Sequence, residues 1–212
     1  MNETHIKLAI EIYNRENNLF IPAEISNLDM AAGNEHEPEA IRLYDELYKT
    51  KFYPEYLKNR EVLGRFEKSN KYLTGTRDFG DNVETLDEKI STDKNVFDAK
   101  KFIPLETDYV IQQNCYAEIY GTETLWLVNT LMNATTEQIR KMVNNKVYAT
   151  DMNSDQQTVY EEFLYTSYNY DLLSLEKRIS KRPVPRIEGF SKIVETRVEV
   201  MNEWIEKNKH LL

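Results

Sequence analysis

The sequence contains little histidine, cysteine or glycine. Its 212 residues include three histidines, one cysteine and six glycines. His5, His36 and His210 lie far apart, and none is at ligand spacing from another or from Cys115. This scarcity argues against a zinc site, a histidine-based catalytic arrangement and an internal disulfide. The sequence therefore predicts no catalytic residue, no metal ligand and no cofactor, and we expect a protein that is not an enzyme.

Long hydrophobic runs and excess positive charge are also missing. No apolar run approaches the roughly 20 residues that a membrane helix needs, and the first residues lack a secretory leader pattern. The net charge is −9, which opposes non-specific binding of nucleic acid over the whole surface. Hydrophobic residues make up 41% of the chain, a fraction typical of a globular domain with a real core.

Apolar residues recur at helical spacing along most of the chain. In the first half, this pattern predicts helices over 3–15, from Pro38 to about Lys51 and from Pro54 onwards, with 16–36 as a connecting loop. Proline is favoured in the first turn of a helix, which places two of these starts.

The second half continues this pattern. Helices are predicted up to Gly121, over 154–179 and from Phe190, and Thr135 with Gln138 forms a capping box. Leu125–Met132 is apolar on nearly all sides, so we expect a buried helix at the centre of the core.

Residues 69–101 differ from the rest of the chain. They are highly charged and show no sustained period, which predicts an irregular insertion, although short strands around Val83 and Val96 are compatible with the pattern. The predicted fold class is all-α, a multi-helix bundle. A helical body over 1–179 carries this insertion, and an extended C-terminal arm with a terminal helix follows over 180–212.

Two patterns within this insertion suggest chemistry but have simpler explanations. Gly75–Asn82 has the glycine spacing of a phosphate-binding loop, but Asp81 stands where the loop requires lysine. Asp87 and Glu88 are adjacent carboxylates, as are Glu161 and Glu162. Adjacent residues on a helix do not face each other, so we interpret both pairs as solvated faces.

A third pattern resembles a calcium-binding loop. Asp151, Asn153, Asp155 and Glu162 stand at four of its ligand positions, but Gln156 replaces the glycine of its sharp turn. The same stretch also suits the start of a helix, and both interpretations stay open.

Tyrosine and one basic segment suggest contact with other molecules. Fourteen tyrosines either form interfaces or cover the edge of the core. A run without acidic residues forms a candidate partner-binding segment made of Lys177, Arg178, Lys181, Arg182 and Arg186. Its prolines favour an extended chain, and the alternative is a charged helix end that leads into a linker.

Three segments, Glu39–Tyr48, Phe52–Tyr56 and Arg60–Arg65, are similar to the early helices of tailed-phage head–tail connector proteins. This resemblance implies a helical bundle with an inserted irregular region and an extended C-terminal segment. It also implies a dodecameric ring of identical subunits that docks on the portal and tail proteins and lines the DNA exit channel.

We therefore expect a non-enzymatic structural protein of the bacteriophage virion, assembled in the host cytoplasm, with a possible non-specific contact to packaged DNA. The alternative is an acidic helical regulator or inhibitor that binds a basic protein. A calcium module using Asp151, Asn153, Asp155 and Glu162 is a third hypothesis.

Overall fold

The computed structural model describes residues 28–63 and 68–211, so the helix predicted over 3–15 lies outside the described residues. The chain divides into two compact units. The larger unit comprises 26–68 and 74–186, and the smaller comprises 1–25, 69–73 and 187–212.

The larger unit contains helices and strands in mixed order. Its helices are α1 (Leu28–Tyr48), α2 (Phe52–Leu63), α3 (Lys94–Lys100), α4 (Thr107–Tyr120), α5 (Thr136–Thr150), α6 (Ser154–Ser167) and α7 (Leu175–Arg178). The strands are β1 (Lys68–Ser69), of which Ser69 belongs to the smaller unit, β2 (Thr74–Gly75), β3 (Phe79–Gly80), β4 (Glu84–Ser91), β5 (Thr124–Leu131) and β6 (Ile179–Pro183). The prediction of an all-α fold is therefore wrong.

Four strands form one sheet in the order β3-β4-β5-β6. β4 and β5 are parallel over eight residue pairs, from Glu84↔Thr124 to Ser91↔Leu131, and α3 and α4 make the crossover between them. β3 is antiparallel to β4 over only two pairs, and β6 is antiparallel to β5. One edge of β4 is therefore covered by a strand for only part of its length.

Helix α1 covers one face of this sheet. Its buried residues Ile41 and Tyr44 pack in one cluster with Leu86 of β4 and Val128 of β5. The aromatic rings of Tyr44 and Phe79 meet edge to face, with centroids 5.1 Å apart. This packing fixes the residues around β3 against α1.

Helix α4 packs against β5 on the face of the sheet opposite to α1. Ala117 joins a buried cluster with Leu125 and Leu127 of β5. The helix ends at Gly121, which adopts φ 71° and donates its N–H to the carbonyl of Ala117. With α1 and α4 on the sheet, the central strands are buried on both sides, and even polar residues such as Thr85 and Asp87 are inaccessible.

The buried segment Leu125–Met132 lies largely in β5 rather than in a helix. Its burial was predicted correctly, but a short apolar run has the same pattern in a buried strand and in a buried helix. The neighbouring strand β4 was missed because it carries charged residues in a buried setting.

The predicted long helix over 154–179 is also interrupted. α6 ends at Ser167, and the chain continues through the short α7 into β6. The capping box of Thr135 and Gln138 is confirmed. The region 69–101 contains β2, β3, β4 and α3, while 28–36, expected to be loop, lies within α1.

In the smaller unit, the predicted C-terminal helix is present as α8 (Phe190–Asn208), followed by a 3-10 turn. Phe190 and Ile205 are its buried residues, and the hydroxyl of Tyr72 donates a 2.8 Å hydrogen bond to Glu195 Oε1. No helix among the described residues has the length and apolarity that a membrane crossing requires.

Gly80 is required by the turn between β3 and β4. Its φ is +138°, and an added Cβ would lie 2.3 Å from the Glu84 carbonyl oxygen. We expect Gly80→Ala to lower the free energy of unfolding by about 1–3 kcal/mol, because both the backbone conformation and the space exclude a side chain. Chemical denaturation measures this change.

Gly33→Ala is the matched control, since a Cβ at Gly33 of α1 meets nothing within 4 Å. In a helix interior the same substitution should stabilise by about 0.5–1 kcal/mol. Equal effects at the two positions would contradict this account of Gly80.

Candidate active site

A cavity of about 710 Å³ lies within the larger unit. It is lined by residues of α1, β4, α3 and α4 and by Thr76 and Asp78, which precede β3. Its charged and aromatic lining includes Glu37, Asp78, Asp87, Glu88, Lys89, Lys100, Tyr109 and Tyr116. Acidic and basic groups thus face one open cavity at the partly covered edge of the sheet.

Asp78 occupies the edge of β4 that β3 leaves open. It immediately precedes β3, and its Oδ2 accepts a 2.7 Å hydrogen bond from the backbone N–H of Glu88. A carboxylate thus satisfies a backbone donor that a longer β3 would have paired with a carbonyl.

Asp87 and Lys89 project from the same face of β4, because side chains alternate along a strand. Lys89 Nζ lies 2.6 Å from Asp87 Oδ2, and the Asp87 side chain is 1% exposed. Burial acts to lower the pKa of Lys89, but the charges of Asp87 and Asp78 and the bond to Asp87 outweigh it. The pKa of Lys89 is raised, so its ammonium stays charged near neutral pH.

The carboxyl groups are strongly perturbed. Burial, followed by the charges of Asp87 and Glu37, raises the pKa of Asp78 well above its usual value. Burial also raises the pKa of Asp87, although Lys89 opposes the shift. The pKa of Glu88 is raised mainly by burial as well. Without a compensating cation, the cluster therefore retains protons at a pH where carboxyl groups are normally ionised.

Helix α4 supplies the polar wall on the other side. Gln112 and Tyr116 lie one turn apart, and Gln112 Nε2 donates a 2.9 Å hydrogen bond to the Tyr116 hydroxyl. Burial raises the pKa of Tyr116 to about 12, which keeps the phenol protonated. The ring of Tyr109 lies 4.9 Å from Lys89 Nζ and supports the ammonium through a cation–π contact.

The cluster suits a magnesium-like cation more than a metal that needs a full protein cage. No group of three His, Cys, Asp or Glu side chains is arranged to hold a metal ion in the parts of the chain that the structure describes. Mg²⁺ is usually held by one or two carboxylates, with waters and substrate phosphates completing its octahedron. Asp78 and Asp87 meet that requirement.

The burial of Asp87 provides a direct test of this fit. Its Oδ1 is buried and has no hydrogen-bond partner among the described residues, and a bound cation, a water or a proton shared with Asp78 would satisfy it. The residues therefore fit a divalent cation between Asp78 and Asp87.

Comparison with known proteins gives matches in structure but not in sequence. No family model matches the chain, and no curated protein matches it significantly. It is similar to a phage-related exonuclease from Haemophilus somnus 129PT, with TM-score 0.60 and 17% identity over 97% of this chain and 82% of that one. It is also similar to the alkaline exonuclease LHK-Exo from Laribacter hongkongensis, with TM-score 0.59 and 13% identity over 99% and 84%. The fold is that of these exonucleases.

These likenesses overturn the connector hypothesis. The neighbours are α/β exonucleases, so the predictions of a non-enzymatic connector ring, of portal and tail partners and of a virion location are wrong. The alternative of an acidic regulator is not supported either. The shared order of early helices gave rise to the resemblance, because helix order alone does not distinguish a bundle from a helix-covered sheet.

The predicted basic segment lies in and around β6, and four of its five cations have internal partners. Lys181 Nζ lies 3.2 Å from Glu84 Oε2, and Arg186 pairs with Glu118 at 3.3 Å. Arg182 donates to the carbonyl of Ile103 at 2.9 Å. The buried Arg178 donates to the carbonyl of Leu131 at 3.1 Å, while Lys177 is exposed. Contact of this segment with another molecule stays a prediction.

The calcium-like stretch forms two helix ends. Asp151 is the C-cap of α5, and Asn153 forms a capping box with Gln156 at the start of α6. The interpretation of this stretch as a helix start is therefore confirmed, with Asn153 as the N-cap.

Sequence reasoning considered the residues of the cavity but misinterpreted them. Asp78 lies inside the rejected phosphate-loop pattern, and Asp87 was assigned to a solvated helix face. The usable signal was the i, i+2 spacing of Asp87 and Lys89, which places an acid and a base on the same face of a strand.

The raised pKa values predict an unusual pH dependence of stability. Below about pH 4, carboxyl groups are protonated in both the folded and the unfolded chain. As the pH rises, the unfolded chain loses its protons first, so the folded state loses relative stability through the raised pKa of Asp78. Asp78→Asn removes this titration and preserves an oxygen acceptor for the Glu88 N–H.

Denaturation without divalent metal should show Asp78→Asn gaining stability relative to the parent between pH 5 and pH 8. The exposed control Asp155→Asn should follow the parent. A stability difference that stays constant over this pH range would contradict the burial of a protonated Asp78.

Proposed function

We propose that this protein is a divalent-metal-dependent nuclease that hydrolyses phosphodiester bonds of nucleic acid. The observation that carries the proposal is the placement of Asp78, Asp87 and Lys89 around one cavity, in a fold shared with exonucleases. The names of the structural neighbours favour attack at strand ends, and we extend the proposal to an exonuclease on that basis.

The two carboxylates, Asp78 and Asp87, suit metal-assisted phosphoryl transfer. A divalent cation held by Asp78 and Asp87 would supply Lewis-acid stabilisation of the phosphate and lower the pKa of an attacking water. The two carboxylates fix the place where the reaction occurs, because Asp87 is buried on β4 and the half-buried Asp78 is hydrogen-bonded to its backbone. A bound cation would relieve the repulsion between them, and because metal ligands must be deprotonated, the raised pKa values make its binding strengthen as the pH rises.

Lys89 acts as a fixed positive charge. Its raised pKa makes it a poor general base near neutral pH, so its role is electrostatic. From beside Asp87, its Nζ can donate a hydrogen bond to a non-bridging phosphate oxygen as negative charge develops there. Tyr116 and Gln112 supply neutral donors on the opposite wall and can orient the sugar-phosphate chain.

The first test is hydrolysis of end-labelled linear duplex and single-stranded DNA in the presence of Mg²⁺ or Mn²⁺. We expect the parent chain to shorten the labelled strands and to leave closed circular DNA intact. Asp87→Asn and Lys89→Met should each reduce the rate by about 10²–10⁴-fold, the range typical of a lost positioned charge or proton-transfer group.

Asp98→Asn is the matched control, because Asp98 is a carboxylate of α3 that does not line the cavity. It should cleave at the parent rate. Activity that persists in Asp87→Asn at the parent rate would refute the assignment of the site, and cleavage of closed circles would refute the restriction to strand ends.

Metal binding can be measured without turnover. Mg²⁺ should raise the melting temperature of the parent chain, because a ligand present at 100 times its Kd stabilises by about 2.7 kcal/mol. The double variant Asp78→Asn/Asp87→Asn should melt at the same temperature with and without Mg²⁺. An equal shift in the double variant would place the cation elsewhere.

A further inference from the structure

A second cation faces the cavity from α3. Lys100, the last residue of this helix, lines the cavity, and its Nζ donates a 3.3 Å hydrogen bond to the hydroxyl of Ser91 at the end of β4. The Arg182 guanidinium binds the carbonyl oxygens of both Lys100 and Ile103. The end of α3 is therefore fixed to β6, and Lys100 is held in place through its backbone.

Lys100 differs from the other lysines of this region. Lys94 and Lys101 both form ion pairs with Asp98, and Lys89 pairs with Asp87. No carboxylate lies within ion-pair distance of Lys100 in the described part of the chain. Burial, assisted by the charge of Lys89, lowers its pKa, while Glu106 opposes the shift.

Holding a cation half-buried without a counter-ion costs free energy that the fold alone does not require. A bonding partner that arrives with the substrate would recover this cost. The neighbouring groups favour an anion, because Ser91 and Thr92 line the same wall with hydroxyl groups. In a chain of net charge −9, such a position is well suited to a phosphate.

We propose that Lys100 binds a backbone phosphate of the nucleic acid next to the one that is cut, forming a phosphate subsite with the Ser91 hydroxyl. This inference rests on the proposed nuclease function and names a further binding residue for it. Lys89 and Lys100 then contact the strand at two points along the cavity. Lys100 contributes more to substrate binding than to the chemical step.

The alternative is a purely structural role, in which Lys100 only ties α3 to β4 through Ser91. The two roles predict different measurements. A phosphate contact releases counterions, so each one contributes about 0.9 to the slope of log affinity against log salt for duplex DNA. A structural tie changes stability and leaves that slope unaltered.

The experiment measures binding of a short labelled duplex by fluorescence anisotropy over a series of KCl concentrations. The full 212-residue chain carries Asp87→Asn throughout, which prevents cleavage, and Mg²⁺ is held constant. In this background we expect Lys100→Met to weaken binding and to reduce the salt slope by about 0.9. Lys100→Arg should restore both, because it keeps the charge.

Lys101→Met is the matched control, since its cation is next in sequence but already lies 2.8 Å from Asp98. It should bind with the parent affinity and slope. In cleavage assays with Asp87 intact, Lys100→Met should raise KM and leave kcat nearly unchanged.

The outcomes separate this proposal from the proposed function. An unchanged salt slope in Lys100→Met, or a loss confined to kcat, would refute the phosphate subsite while leaving the nuclease assignment intact. A parent chain that neither cuts nor binds nucleic acid would refute both.

Discussion

Buried like charges are the constraint around which the larger unit is organised. Asp87 and Glu88 are buried, Asp78 is half-buried beside them, and loss of hydration raises the pKa of each. Such a cluster destabilises the folded chain at neutral pH, so packing elsewhere must offset it. The α1 cluster with Tyr44 and Phe79 on one face and the α4 cluster on the other provide that packing. The site thus lies between the two packed faces of the sheet.

Under the proposed nuclease function, the same arrangement would let an acidic protein act on a polyanion. The overall charge of −9 argues against broad electrostatic attraction of nucleic acid. Local charge is what matters inside a cavity, where low dielectric strengthens nearby interactions. Lys89 and Lys100 supply positive charge there, and a divalent cation would add more. The net negative charge therefore argues against nucleic-acid binding over the whole surface but not against binding within the cavity.

Helices with a single buried stripe were predictable from the sequence. The second predicted helix begins too late but ends close to the C-terminus of α1, and the helix up to Gly121 and the capping box at Thr135 were placed correctly. The sheet was not predictable by the same reasoning. β5 is apolar on both faces, so its pattern does not separate a strand from a helix. β4 carries Asp87, Glu88 and Lys89 in a buried strand, and a charged run normally indicates solvent. Both segments become strands because each pairs with a strand distant in sequence. A single sequence does not show that pairing.

The brevity of β3 has a consequence for how the pair of carboxylates Asp78 and Asp87 could be lost or gained. Because β3 pairs with β4 at only two residues, the backbone N–H of Glu88 receives no hydrogen bond from a β3 carbonyl. The side-chain Oδ2 of Asp78 accepts that hydrogen bond instead. If β3 were one or two residues longer at its N-terminus, a backbone carbonyl would accept the hydrogen bond from the Glu88 N–H. The Asp78 side chain would then turn away from Asp87. If the proposed function is correct, a change in this one turn would remove the metal-binding pair of carboxylates and leave the same fold without activity.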